Sequence, residues 1–339
     1  MSHPSHPSLP RFKVDRTAGT FYHTARYLRY WNGDELCCEH KVPTNHKCGD
    51  CIAGKHEERQ PSSPVNLIII PETNSNLLHK RFQVLYKLGT GAFSSVYAGR
   101  DLQTDECVAI KVEYNSATHP LLANEYAIYT DITPVDGIPR VLWFGANKKM
   151  KVLVISMLSV TLNQGLPTNL TIIANYARRL LLILQHVHSN DYLHRDLKPD
   201  NMMLGLADAN KVYLADFGLA KKWRVRGVHI PYSETRSLVG TPRYVSLYCH
   251  RGIESSRRDD IESLGYVLVF LAKGRLPWQG IKAPTKKDKN DRIRQLKQQT
   301  TIDELCTGLP TAFTILLTTA RTLQFTETPP YEHLHSLFI

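Results

Sequence analysis

One octapeptide constrains this chain more than any other feature: His194-Arg195-Asp196-Leu197-Lys198-Pro199-Asp200-Asn201. Chance assembly of such a string is negligible, and it puts three kinds of chemistry into a single loop. Asp196 offers a carboxylate that can orient a hydroxyl and accept its proton. Lys198 offers a positive charge on a flexible stem. Asn201 offers an amide oxygen, a ligand suited to a hard divalent cation. Asp216-Phe217-Gly218 follows fifteen residues after Asn201 and adds a second oxygen ligand. Alone, that triplet reads as a turn. Behind the octapeptide it reads as the partner ligand.

Upstream lie residues suited to a phosphate-bearing ligand. Gly89-Thr90-Gly91-Ala92-Phe93-Ser94 falls between two predicted strands. Glycine lets a backbone approach phosphate oxygens and offer its N–H groups. By itself the string is no more than a strand turn. A strand follows it, not a helix, which argues against a dinucleotide-binding fingerprint. Val108-Ala109-Ile110-Lys111 then puts a lysine on the third strand. A buried lysine facing phosphates needs a counter-ion, and Glu125 on the next predicted helix is the candidate. Each residue alone reads as ordinary; in this order they do not.

Phe82 to Leu88, Ser95 to Ala98 and Val108 to Glu113 read as strands, and Pro120 to Asp131 as a helix. Gly145 to Leu158 reads as a hairpin turning at Lys148-Lys149. From Thr168, Leu170, Ile173, Ala177, Leu180, Leu181, Leu184 and Val187 recur at spacings of three and four, which is one face of a helix. A second buried helix is predicted over Arg258 to Lys273. Strands first and helices later predict an α+β fold in two lobes.

In order and spacing, these motifs resemble the protein-kinase signature set over about residues 80 to 338. The resemblance implies a bilobal protein-kinase fold at 80–339, with a small β-rich N-lobe (80–157) and a larger α-helical C-lobe (158–339). It implies ATP and Mg²⁺. Asp196 would accept the substrate hydroxyl proton, Lys198 would neutralise the transferring phosphoryl, and Asn201 and Asp216 would ligate Mg²⁺. Lys111, held by Glu125, would tether the nucleotide. Leu88, Gly89, Gly91, Val96, Ala109, Ser156, Leu158 and Met203 would line the ATP site, with Ile155 as gatekeeper. Ser94 stands where the loop's third glycine is usual.

Where most kinases carry Ala-Pro-Glu, this chain reads Gly240-Thr241-Pro242-Arg243-Tyr244-Val245-Ser246. Gly252-Ile253-Glu254-Ser255-Ser256-Arg257-Arg258-Asp259-Asp260-Ile261-Glu262-Ser263-Leu264-Gly265-Tyr266, Leu276-Pro277-Trp278-Gln279-Gly280 and Thr285-Lys286-Lys287 follow. These strings, with Gly137-Ile138-Pro139 upstream, resemble the casein kinase 1 family of serine/threonine protein kinases. That resemblance implies that Asp260 anchors the catalytic loop. It also implies that Arg243 and Lys289 form an anion pocket for a phosphate or acidic side chain on the substrate, where convergent cations suit a phosphoserine. Lys282, Lys286 and Lys287 would add to the field, or simply form a solvated basic face. The chain departs from the family in short stretches at Thr161 to Pro167 and Trp223 to His229, and in Ser156 at the hinge. The alternative is a catalytically weak kinase-fold scaffold, or pseudokinase.

Residues 1–64 form a separate extension rich in His, Pro, Tyr and Cys, followed by a linker at 65–79. Cys37 (or Cys38), His40, Cys48 and Cys51 have spacing that fits a tetrahedral Zn²⁺ set, with His46 and His56 in reserve; the other reading is a loose extension with reduced thiols. Seven cysteines in 339 residues do not form a secreted disulfide framework. Met1-Ser2-His3-Pro4 opens no apolar signal core, and no apolar run is long enough to span a bilayer. The expectation is an intracellular protein of cytoplasm, nucleus or both, off the membrane and monomeric. A net charge of +11 favours anionic partners. Acidic or phospho-primed proteins fit that charge; specific nucleic-acid binding is not expected, because interleaved aromatics are missing.

Overall fold

The computed structural model describes residues 77–339 apart from 92–93, 118–119, 133 and 166–168. Period-two burial builds the first lobe. In the strand Cys107–Tyr114, Val108, Ile110 and Val112 are fully buried, while Cys107, Ala109 and Lys111 on the other face are only half-buried. The buried set joins Phe82, Val84, Tyr97, Val152 and Val154 in the small lobe's own core. Six antiparallel strands make this sheet: β1 (Leu77–Leu78), β2 (Phe82–Thr90), β3 (Ser95–Asp101), β4 (Cys107–Tyr114), β5 (Val141–Ala146) and β6 (Met150–Ser156). Their order is β1-β2-β3-β4-β6-β5, with helix α1 (Leu122–Asp131) between β4 and β5 in the chain.

Two boundaries move. Leu77 and Leu78 pair with Gln83 and Phe82, so the sheet starts inside the stretch expected to be a linker. Gly89 and Thr90 pair with Val96 and Ser95, so β2 runs on through the first glycine. Backbone hydrogen bonding there is satisfied by the ladder, and the turn is closed further on by Gly91 N–H donating to Ser94 O at 2.8 Å.

The second lobe is helical and holds the larger core. After β7 (Leu158–Thr161) comes α2 (Leu170–Ser189), started by Asn169, whose side chain accepts from Thr171 N. Ile173, Ala177, Leu180, Leu181, Leu184 and Val187 are buried as the spacing predicts. Leu170 is not: in the first turn it stays 41% exposed. Short strands β8 (Tyr192–Leu193), β9 (Met202–Gly205), β10 (Val212–Leu214), β11 (Lys221–Lys222), β12 (Arg224–Val225) and β13 (Val228–His229) follow. The stretch Trp223 to His229 is short because β12 and β13 pair directly, turning at Arg226 and Gly227, both with positive φ.

Helices α3 (Leu247–His250), α4 (Arg257–Lys273), α5 (Lys286–Gln299), α6 (Ile302–Cys306), α7 (Thr311–Thr322) and α8 (Tyr331–Ser336) complete the described chain. Helix α4 opens on a Ser256–Asp259 capping box and ends at Gly274 in the left-handed region. It is buried from Arg257 to Leu271. At Gly265 an added Cβ would lie 2.5 Å from Leu317 of α7, so glycine is what lets these helices approach. Among the described residues, no helix is long and apolar enough to cross a membrane.

Candidate active site

Strand pairing sets the roof of the cleft. Val96 lies opposite Lys111, and Ala109 opposite Ile155, so Val96, Ala109 and Lys111 share the half-buried side of the sheet. Lys111 Nζ donates to Glu125 Oε2 at 2.7 Å and to Asp216 Oδ1 at 2.9 Å. One ammonium thus joins β4, α1 and the segment after β10. Burial opposes its charge, but the two carboxylates win and hold its pKa above the ordinary lysine value. Burial pushes Glu125 up to about 7 against the pull of Lys111. Burial would raise Asp216 too, but Lys111 draws it down to about 2.

The catalytic loop is hung from α4. Asp260, fully buried, accepts from His194 N at 2.8 Å and Arg195 N at 2.9 Å, and meets His188 Nε2 at 2.9 Å. Two anchored amides explain how Arg195 keeps φ +66°, a conformation costly outside glycine. Phe217 stacks edge-on between Tyr129 at 5.1 Å and His194 at 5.0 Å, tying the segment at 216–218 to both lobes. Within the loop, Lys198 Nζ sits 2.5 Å from Asp196 Oδ2, and Thr241 donates its hydroxyl to Asp196 Oδ1 at 2.7 Å.

Asn201 and Asp216 flank one hairpin. Leu214 pairs with Met202, and Ala215 N donates to Asn201 O at 2.9 Å, so the two side chains are held by a single ladder. Asn201 spends its amide nitrogen on Asp196 O at 2.9 Å, which leaves its oxygen for a ligand. Asp216 gives one oxygen to Lys111 and remains 43% exposed. An oxygen-only pair with one ionised carboxylate fits a hard cation such as Mg²⁺.

A family model described as protein kinase domain matches residues 82–319. The chain belongs to the protein kinase domain family. This kinase domain implies ATP and Mg²⁺, and proteins as substrates.

Other expected residues of the kinase domain sit as follows. Leu88 is 43% exposed on β2. The Ser156 hydroxyl is taken by Arg140 N at 3.0 Å, and Leu158 pairs with Gly205. Met203 is half-buried on β9 opposite Thr161. The Arg243 guanidinium lies over the rings of Tyr244 and Phe270 at 5.7 and 5.9 Å and meets no carboxylate among the described residues. Lys289 is exposed in the first turns of α5. Cys37, His40, Cys48 and Cys51 lie outside the described residues, within which no cluster of three or more His, Cys, Asp or Glu side chains is placed to hold a metal.

Sequence reasoning gave no role to Thr241, His188 or Tyr129. Thr241 follows Gly240, whose φ is +91° and where an added Cβ would lie 2.4 Å from Arg195 O, so no side chain fits there. That glycine was the available signal that the loop presses on the catalytic one. His188 and Tyr129 carried none.

Proposed function

We propose that this kinase domain is a serine/threonine protein kinase of the casein kinase 1 type. It moves the ATP γ-phosphoryl group to Ser or Thr of acidic or pre-phosphorylated proteins. The observation that carries the enzymatic part is the placement of Lys111 between Glu125 and Asp216, 2.7 and 2.9 Å away. A scaffold has no need of a half-buried cation paired with acids of both lobes.

In the transfer, the acceptor oxygen bonds to the γ-phosphorus as the bond to the β–γ bridging oxygen breaks, leaving ADP. The hydroxyl proton passes to Asp196. Bound Mg²⁺ supplies neutralisation of phosphate charge. Asn201 and Asp216 would hold it, and Lys198 places a second positive charge beside Asp196. Lys111 orients the nucleotide phosphates. The serine/threonine and acidic preferences rest on the casein kinase 1-like strings and on Arg243, a guanidinium that meets no carboxylate among the described residues.

The test is phosphate transfer from labelled ATP to one peptide in primed and unprimed forms. The primed form is the better substrate, Arg243→Ala erases that preference, and Asp196→Asn lowers the rate by about 10²–10⁴. Equal labelling by Asp196→Asn would overturn the enzymatic reading. Equal turnover of the two peptides would overturn the anion preference alone.

A further inference from the structure

Lys297, near the end of α5, is fully buried. Burying an ammonium is expensive unless its donors are used. Among the described residues no carboxylate comes within ion-pair distance; Glu262 acts on it only from further off. For stability alone, an apolar side chain of similar volume would serve as well or better. Its position therefore calls for another account, and its partners supply one.

Lys297 Nζ donates to Pro242 O at 3.0 Å and Val245 O at 2.5 Å. The rings of Tyr266 and Trp278 lie 4.7 and 5.2 Å from the ammonium and favour its charged form, against burial, which draws its pKa down to about 7. Trp278 Nε1 donates to Arg243 O at 2.8 Å, and His250 Nε2 meets Pro242 O at 3.0 Å. Three of the four carbonyls in 242–245 are thus taken from beneath. On its other side the same loop sends Thr241 to Asp196. It also carries Arg243, the proposed contact for an acidic substrate.

We propose that Lys297 is a positioning residue for the protein substrate: it fixes the 241–245 loop from below and thereby sets how tightly the acceptor protein is held. This rests on the kinase reading. None of the hydrogen bonds of Lys297 reaches Lys111, Glu125 or Asp216, so the nucleotide is unaffected.

The experiment uses the full chain and the primed peptide, with Lys297→Met, Lys297→Arg and Trp278→Phe. Losing the two hydrogen bonds that Lys297 donates to carbonyls raises the peptide KM about tenfold in Lys297→Met, by the free energy of one or two hydrogen bonds. The ATP KM stays within about twofold, since nucleotide contacts are untouched. Lys297→Arg, which keeps donors, recovers part of the loss. Trp278→Phe keeps the ring and removes one donor, and it shifts the peptide KM in the same direction. If Lys297→Met does not fold, Trp278→Phe decides. An unchanged peptide KM, or peptide and ATP KM rising together, would overturn the inference while the kinase reading stands. No transfer by the wild-type chain would overturn both.

Discussion

Thr241 and Asp196 are joined by a 2.7 Å hydrogen bond in which the threonine hydroxyl donates to Oδ1, while Lys198 holds Oδ2. The bond crosses 45 residues of sequence and fixes one oxygen of the carboxylate. Thr241→Val keeps the shape and removes the donor. A hydrogen bond to a charged group contributes about 1.5–3 kcal/mol, so kcat should fall roughly 10- to 100-fold. Thr241→Ser should stay near wild type. Steady-state kinetics on one peptide measures both, and equal activity of the valine variant would show that the carboxylate needs no such support.

Glu125 and Asp216 share Lys111 but titrate apart, near 7 and near 2. As pH falls through about 7, Glu125 gains a proton and Lys111 loses one of its two charged partners. Asp216 remains ionised. The expected result is an acid limb in kcat/KM for ATP with a single ionisation near 7. Glu125→Gln should lower the plateau and flatten that limb. Stability carries the opposite sign. The folded chain holds the Glu125 proton above the ordinary value of 4.5, so this contribution is full below 4.5 and is lost as pH rises through about 7. Asp216 contributes above 3.8 and loses its contribution as pH falls through about 2. Activity falling while thermal stability does not, between pH 7 and 5, is the distinguishing outcome.

Asp260 accepts two backbone N–H groups and faces His188, all out of water. Asp260→Ala strands those donors. Breaking a buried, charged network of this kind costs about 3–5 kcal/mol. For a domain of this size that is a Tm lower by roughly 10 °C. Asp303→Asn, exposed on α6, should leave Tm unchanged. A small shift for Asp260→Ala would mean that the loop holds Arg195 in its positive-φ conformation unaided.

The fold and the cleft's principal groups were readable because their signals are local. Period two puts Lys111 on the half-buried face and Ile110 in the core; spacings of three and four bury Ile173 and Leu180. Leu170 carried the same periodic signal yet stays exposed, because periodicity marks a face and not where the packing on that face begins. Lys297 was illegible for a different reason. Lys286–Gln299 is dominated by charged and amide side chains, and nothing in that string marks one lysine of several as buried. Burial of a cation is decided by Pro242, Val245, Tyr266 and Trp278, all distant in sequence. Thr241 and Glu254 share this property: their partners are chosen by tertiary approach.

Glu254 is the buried end of an ion-pair fork. It is 3% exposed, with Lys221 Nζ at 2.9 Å and Arg236 Nε at 2.8 Å. Burial would raise its pKa, but Lys221 and then Arg236 draw it below the usual range. Backbone bonds reinforce the fork: Glu254 N donates to Ser233 O and Arg236 N to Gly252 O, each at 2.8 Å. The segment leading to Thr241 is therefore pinned by a carboxylate already in the chain. Removing one partner has unequal consequences. Arg236 is 52% exposed, so Arg236→Ala should cost no more than about 1 kcal/mol in screened solvent. Glu254→Ala removes the acid on which both cations converge; the cations left behind are 36% and 52% exposed and rehydrate, so the cost should be about 1–3 kcal/mol. Hydrogen exchange reads the local effect: the amides of Arg236 and Glu254 should lose protection in Glu254→Ala, and peptide turnover should fall with them. Glu254→Gln, which keeps an oxygen but not the charge, should fall between. Unchanged protection in Glu254→Ala would show that the backbone bonds alone hold the segment.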